Sequence, residues 1–225
     1  QATRSLMAIP APSFVAFRRA LREHFDTSMR RAAKFFRGDL HFPLPQRLHL
    51  THERGDGCTL RQLADVLLCA DIPGSKPADF YWSDDLETNH SKNTPAQSKL
   101  QCEIYLYGIS RLPKDNPSLQ DPRAATAVFA FRNLQGRPVH DATTLADAEA
   151  LLKKVIPDPA YTWVGQNAGN FDNMIYQERL GVTPAKRLDT KVLHWALAPG
   201  VPHDLGFIGA TCTDAPGWKK DFATG

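Results

Sequence analysis

From residue 79 to residue 197 the chain changes its hydrophobic period repeatedly, and the order of those changes restricts it to the α/β folds. The run 79–87, Asp-Phe-Tyr-Trp-Ser-Asp-Asp-Leu-Glu, is aromatic and reads as a strand. A polar loop over 89–100 follows, then strands over 101–110 and 125–132 separated by a proline-bearing loop at 112–122. Residues 144–155 form an amphipathic helical pattern, with Thr144 as N-cap and Asp147 three residues on. A short fourth strand is expected over 161–165. A helix over 171–180 stops at Gly181, a residue suited to a left-handed C-cap. Residues 187–189 read as a fifth short strand and 190–197 as a helix ending before Pro199. Three strands followed by alternating helices and strands predict a mixed five-stranded sheet flanked by helices.

The leading part has another texture. Ile9-Pro10-Ala11-Pro12 is an extended lead-in. Over 13–36 the spacing of Phe14, Phe17, Leu21 and Phe25 puts four apolar side chains on one helical face, with Arg18, Arg19, Arg22, Arg30 and Arg31 largely off it. Phe42-Pro43-Leu44-Pro45 ends that pattern. A second short helix is expected over 59–68, with Thr59 as N-cap; it faintly resembles the first helix of a helix-turn-helix, but Pro73 and Gly74 follow, so core packing is the simpler role. The Pro/Gly/Ser-rich 72–77 stretch is the expected boundary, giving a basic, mostly helical segment at 1–78 and an α/β domain at 79–225. Residues 1–78 hold 12 Lys/Arg against 7 Asp/Glu, whereas 79–225 hold 15 against 17. Such a basic segment suits phosphate contact, or simply a solvated helix face.

Composition removes several classes. With 42% apolar and 23% charged residues in 225 positions, wholesale disorder is excluded. No run of 18 apolar residues occurs, so no transmembrane helix is expected and membranes are not among the expected partners. No signal-peptide pattern opens the chain. Four cysteines at 58, 69, 102 and 212 form no CxxC pair, which fits a reducing, cytoplasmic compartment. His49, His52, Cys58 and Cys69 supply a zinc-type donor set, but at separations that match no common finger. The chain starts at Gln1 and stops at Gly225 with no closing element, and is expected to be a piece of a longer protein.

The sharpest chemical feature is Asp85-Leu86-Glu87-Thr88 at the end of the first strand. Positions i and i+2 of a strand share a face, so Asp85 and Glu87 stand together. Two carboxylates suit a hard divalent cation such as magnesium or manganese. A second Asp-x-Glu, Asp147-Ala148-Glu149, falls in the expected first turn of a helix, where acids simply favour the positive dipole end. Next comes Gly165-Gln-Asn-Ala-Gly-Asn-Phe-Asp172, which follows a strand and opens a helix. Asn170 or Asp172 can be an N-cap there, or Asp172 can face the strand carrying Asp85. Arg187-Leu188-Asp189-Thr190 is a third strand end with an acid.

Asp85-Leu-Glu-Thr, Val164-Gly-Gln-Asn-Ala-Gly-Asn-Phe-Asp and Leu188-Asp-Thr-Lys-Val-Leu-His together resemble the 3′→5′ exonuclease superfamily with a ribonuclease H-like fold. The similarity is greatest to the proofreading domain of family A DNA polymerases, phage ones in particular, and extends through Pro202-His-Asp-Leu-Gly-Phe and the 211–221 stretch. It covers about residues 79–221. The resemblance implies hydrolysis with two Mg2+ or Mn2+ ions. Asp85 would contact both ions, Glu87 would complete the tighter site, and Asp172 would help hold the second. It places Thr88, Asn167 and Phe171 at the terminal nucleotide, with Phe171 either stacking on a base or simply packing beneath the helix. The implied substrate is the 3′ end of single-stranded or frayed DNA, with a polymerase domain in the same full-length chain and residence in the cytoplasm, the host's if phage-encoded. The family's fourth acid, in a Tyr-x-x-x-Asp or His-bearing motif, has no match. Asp204, Asp214 and Asp221 lack a tyrosine four residues earlier, and His203 has Ile208, no acid, five residues on. There is also one residue more than usual between Asn167 and Phe171. A binding module with impaired catalysis and a stand-alone exoribonuclease are the other functions this pattern admits.

Overall fold

The computed structural model describes residues 57–89, 102–118, 121–133 and 135–212. The expected helix over 13–36, the break at 42–45, the 89–100 loop except Asn89, and the 213–225 tail lie outside them, as do His49 and His52.

The alternation in the first strand sets the architecture. In β1 (Phe80–Thr88), Phe80, Trp82, Asp84 and Leu86 are buried while Tyr81, Ser83, Asp85 and Glu87 are exposed. β1 pairs antiparallel with β2 (Ile104–Pro113), which pairs antiparallel with β3 (Ala125–Ala130). On its other side β1 pairs parallel with β4 (Thr162–Gly165), and β4 pairs parallel with β5 (Arg187–Asp189). The sheet order is therefore β3-β2-β1-β4-β5, the mixed five-stranded sheet of a ribonuclease H-like fold. β2 runs to Pro113, into the stretch expected to be loop, because Arg111 and Pro113 are buried on its inward side.

Helix α1 (Leu60–Leu67) opens with a full capping box between Thr59 and Gln62. It buries Leu63, Val66 and Leu67 in the same core as the sheet. The 72–77 turn thus joins two parts of one core, and this helix belongs with the sheet rather than with a separate leading segment. The buried Arg111 of β2 completes the union. It donates to the Val66 carbonyl (2.8 Å), to the Arg123 carbonyl (2.9 Å) and to the Asp71 carboxylate. Helix α2 (Ala142–Val155) begins two residues earlier than expected. Asp141, not Thr144, is its cap, accepting from the Thr144 amide at 2.9 Å. Asp147 and Glu149 therefore lie beyond the first turn. Glu149 faces Lys153 at 3.9 Å on the surface.

Aromatic rings fill the centre. Trp82 lies 5.2 Å from Tyr161 and 6.3 Å from Trp163, and Tyr161 stacks on Trp163 at 5.5 Å. Each polar edge is satisfied: Trp82 donates to Pro77, Trp163 to Ile156 and Tyr161 to Leu67. Truncating Trp163 to alanine is expected to cost about 3–5 kcal/mol, read as a lower urea midpoint; a loss under about 1 kcal/mol contradicts this core.

Residues 190–212 group apart from the sheet unit. They comprise α4 (Thr190–Leu197) and α5 (Leu205–Cys212), the second of which the sequence pattern did not foretell. Ala198, Val201 and Phe207 pack together there, and the His194 and His203 Nδ1 atoms are 2.8 Å apart.

Candidate active site

The parallel strands end together. Ser83 pairs with Val164 and Gly165 with Asp189, so the C-terminal ends of β1, β4 and β5 form one edge, the usual place for ligand chemistry in such sheets. β1 runs past that level and carries Asp85 and Glu87 on its exposed face, as the i, i+2 spacing requires. Gly108 lies opposite Asp85 on β2, so no side chain crowds it from that strand. A bulge between Glu87 and Thr88 turns the tip.

The third acid arrives from β4. After Gly165 the backbone enters a left-handed conformation at Asn167 (φ 59°), whose amide donates to Asp189 at 3.0 Å. Asp189 therefore fixes this turn. A short 3-10 turn over Ala168–Asn170 takes up the extra residue, and helix α3 (Asp172–Ile175) starts with Asp172 in its first turn. Asp172 is not the cap; Phe171 occupies that position. A five-residue π turn, Tyr176–Leu180, continues the helix to Gly181 at φ 71°. Phe171 packs against the core and is only partly exposed, which favours the packing role over the stacking one.

Electrostatics links the three acids. Burial and then repulsion from Asp85 hold the Glu87 carboxyl above its ordinary value. Burial, followed by Asp84 and Asp85, pushes Asp172 up to about 7. Asp85 itself is raised by burial and by Asp84. Asp85 is thus common to two repelling pairs, with Glu87 and with Asp172. Among the described residues no lysine or arginine forms an ion pair with any of the three, whereas Asp71, Asp84, Asp115 and Asp121 all have one. Also among the described residues, no three such side chains form a ready ligand shell around one point. The arrangement is pairwise. All-oxygen donors without an ion-pair partner among the described residues fit hard divalent cations such as Mg2+ or Mn2+. Cys58 and Cys69 do not fit a metal. Both are buried, and burial pushes each thiol up to about 11, against thiolate formation.

Sequence reasoning missed the support beneath these acids. Asp84, next to Asp85 but of opposite parity, points inward and is fully buried against Arg187 (2.7 Å) and the Tyr176 hydroxyl. Its signal was there: an inward acid on a central strand needs a buried cation.

The fold and site define an α/β protein with a mixed five-stranded sheet and a carboxylate-bearing strand tip. Among solved structures the chain is similar to exonuclease I, with a TM-score of 0.40 at 14% identity, covering 59% of this chain and 35% of that one. Product-bound exonuclease I gives 0.40 at 14%, covering 60% and 39%. Escherichia coli exonuclease I with a dT13 oligonucleotide gives 0.35 at 12%, covering 52% and 29%. The chain thus spans between 29% and 39% of the length of these structures. No family model and no curated protein matches it.

Proposed function

We propose that this chain is a metal-dependent 3′→5′ exonuclease domain that removes the terminal nucleotide of single-stranded or frayed DNA. The supporting observation is the acid set at the parallel strand ends, which has no ion-pair partner among the described residues, with Asp85 shared by two repelling pairs. Asp85 and Glu87 would hold one cation, and Asp85 with Asp172 the other. Two bound cations supply an activated water and charge stabilisation for an in-line displacement at phosphorus. Water adds to the terminal phosphorus, the bond to the preceding 3′ oxygen breaks, and a nucleoside 5′-monophosphate leaves. Thr88, next to Glu87, and Asn167, in the turn before Asp172, would seat that nucleotide, with Phe171 packed against the core. On its motifs the domain is read as the proofreading part of a phage-type polymerase.

The test is digestion of a 3′-labelled oligonucleotide with Mn2+ and with chelator. Labelled mononucleotide appearing only with metal supports the proposal. Binding of the strand without hydrolysis overturns it in favour of a binding module, and preference for an RNA version identifies an exoribonuclease.

A further inference from the structure

We propose that Arg187 is a positioning residue of the acid site: a strap from β5 across β4 that locks the tip of β1 and the helix of Asp172 in one register. This inference rests on the proposed function. β5 is separated from β1 by β4, so a side chain joining them must cross the middle strand. Arg187 crosses at Gly165. A Cβ there would lie 2.8 Å from its Nη1 and 2.7 Å from the Ala168 methyl, so only glycine leaves the lane open. Beyond it, Arg187 Nη2 donates to Asp84 Oδ2 at 2.7 Å, and the Tyr176 hydroxyl donates to the same oxygen. The guanidinium also lies 5.6 Å from the centroid of the Tyr176 ring.

The two ends of this contact are the two acid-bearing elements. Asp84 immediately precedes Asp85, and Tyr176 lies one helical turn beyond Asp172. The acids repel one another across the gap, and the strap opposes that repulsion. Its design is not one of simple stability. The Asp84 and Arg187 side chains are 0% and 7% exposed, yet among the described residues Asp84 Oδ1 and Arg187 Nε and Nη1 have no hydrogen-bond partner. A buried ion pair left partly unsatisfied contributes less to stability than a well-packed apolar pair of the same volume. Its use is to fix geometry, as outer partners do for metal ligands.

Arg187→Met, Arg187→Lys and the double variant Asp84→Asn/Arg187→Met separate these roles. Mn2+ alone is titrated, with free ion read by electron paramagnetic resonance. Thermal melting and kcat and KM on the labelled oligonucleotide are recorded beside it. The expected result is Mn2+ affinity weakened about tenfold or more by Arg187→Met. We expect kcat to fall while KM for DNA stays near wild type, and Arg187→Lys to recover part of both. Removing both charges in the double variant restores the melting temperature but not the Mn2+ affinity. If the double variant regains wild-type Mn2+ affinity, the pair is merely structural and the inference is overturned. Unchanged affinity in Arg187→Met, with an active wild type, overturns it too. A wild type that neither binds Mn2+ nor cleaves overturns the proposed function and the strap together. Binding without cleavage removes the exonuclease reading alone, and the resonance titration still decides the strap.

Discussion

Replacing Asp85 with asparagine is expected to abolish the proposed metal-dependent release of the labelled terminal nucleotide, by about a thousandfold or more, equivalent to about 4 kcal/mol of transition-state stabilisation. The substitution keeps the shape and removes one charge. Because Asp85 belongs to both repelling pairs, its loss damages both cation positions at once. The fold does not suffer. Asp85 is exposed, pairs with no base among the described residues, and repels its neighbours, so the melting temperature without metal stays level or rises. Glu87→Gln and Asp172→Asn each remove one pair and lose activity as well. The second Asp-x-Glu is the built-in control. Asp147→Asn and Glu149→Gln lie on the solvated part of α2, where Glu149 stands 3.9 Å from Lys153, and leave cleavage unchanged. Comparable loss from the control pair, or wild-type cleavage by Asp85→Asn, contradicts the assignment.

Without divalent metal, the protein loses stability as pH rises from about 4 to about 7, and metal reverses the trend. Burial first, then Asp84 and Asp85, raises Asp172 to about 7, against about 3.9 in an unfolded chain. Between those values the folded chain holds a proton that the unfolded chain has released. Unfolding then releases protons, so stability falls with rising pH and levels off above about 7. Three units correspond to about 4 kcal/mol as an upper bound. Asp85 and Glu87 are raised too and add in the same direction. Asp121, held down at about 2 by Arg123, contributes stability that is lost only below about 4, outside this window. Melting temperatures in chelator should therefore decline from pH 4 to pH 7 in wild type and decline much less in Asp172→Asn, where only Asp85 and Glu87 still titrate upward, and this variant should melt higher than wild type at pH 8. Mn2+ held by the ionised carboxylates, as proposed, should raise the wild-type melting temperature most at pH 7 and above. A wild-type slope that persists in Asp172→Asn places the titration elsewhere.

Much of this fold was legible because strands and helices carry different periods. The Phe80–Glu87 alternation fixed which acids face out, and Arg187–Asp189 and Thr190–Leu197 fall where the pattern put them. Boundaries slipped where a local competitor won. Asp141 accepts from the Thr144 amide, so Thr144 became an interior residue. α5 went unread because Leu205-Gly-Phe-Ile-Gly carries two glycines, which lower helix propensity. The helix over 171–180 was recognised as one piece, but its change to a π turn at Tyr176, whose hydroxyl donates to Asp84, has no signal in the sequence pattern. That Asp85 and Glu87 share the outward face of β1 was readable from strand parity. Asp84, Arg187 and Tyr176 were not, because they come from separate elements and meet only in the folded chain: Arg187 crosses β4 over Gly165, and Tyr176 reaches Asp84 from the helix.

The central claim is that Asp85, Glu87 and Asp172 jointly hold divalent cations. Crystals of the protein grown in Mn2+ and measured at the manganese absorption edge test it most directly. The account predicts two anomalous peaks at the parallel strand ends, both touching Asp85, one also touching Glu87 and the other associated with Asp172. Empty density beside Asp85, or manganese bound only at other carboxylates such as Asp115 and Asp121, would contradict it.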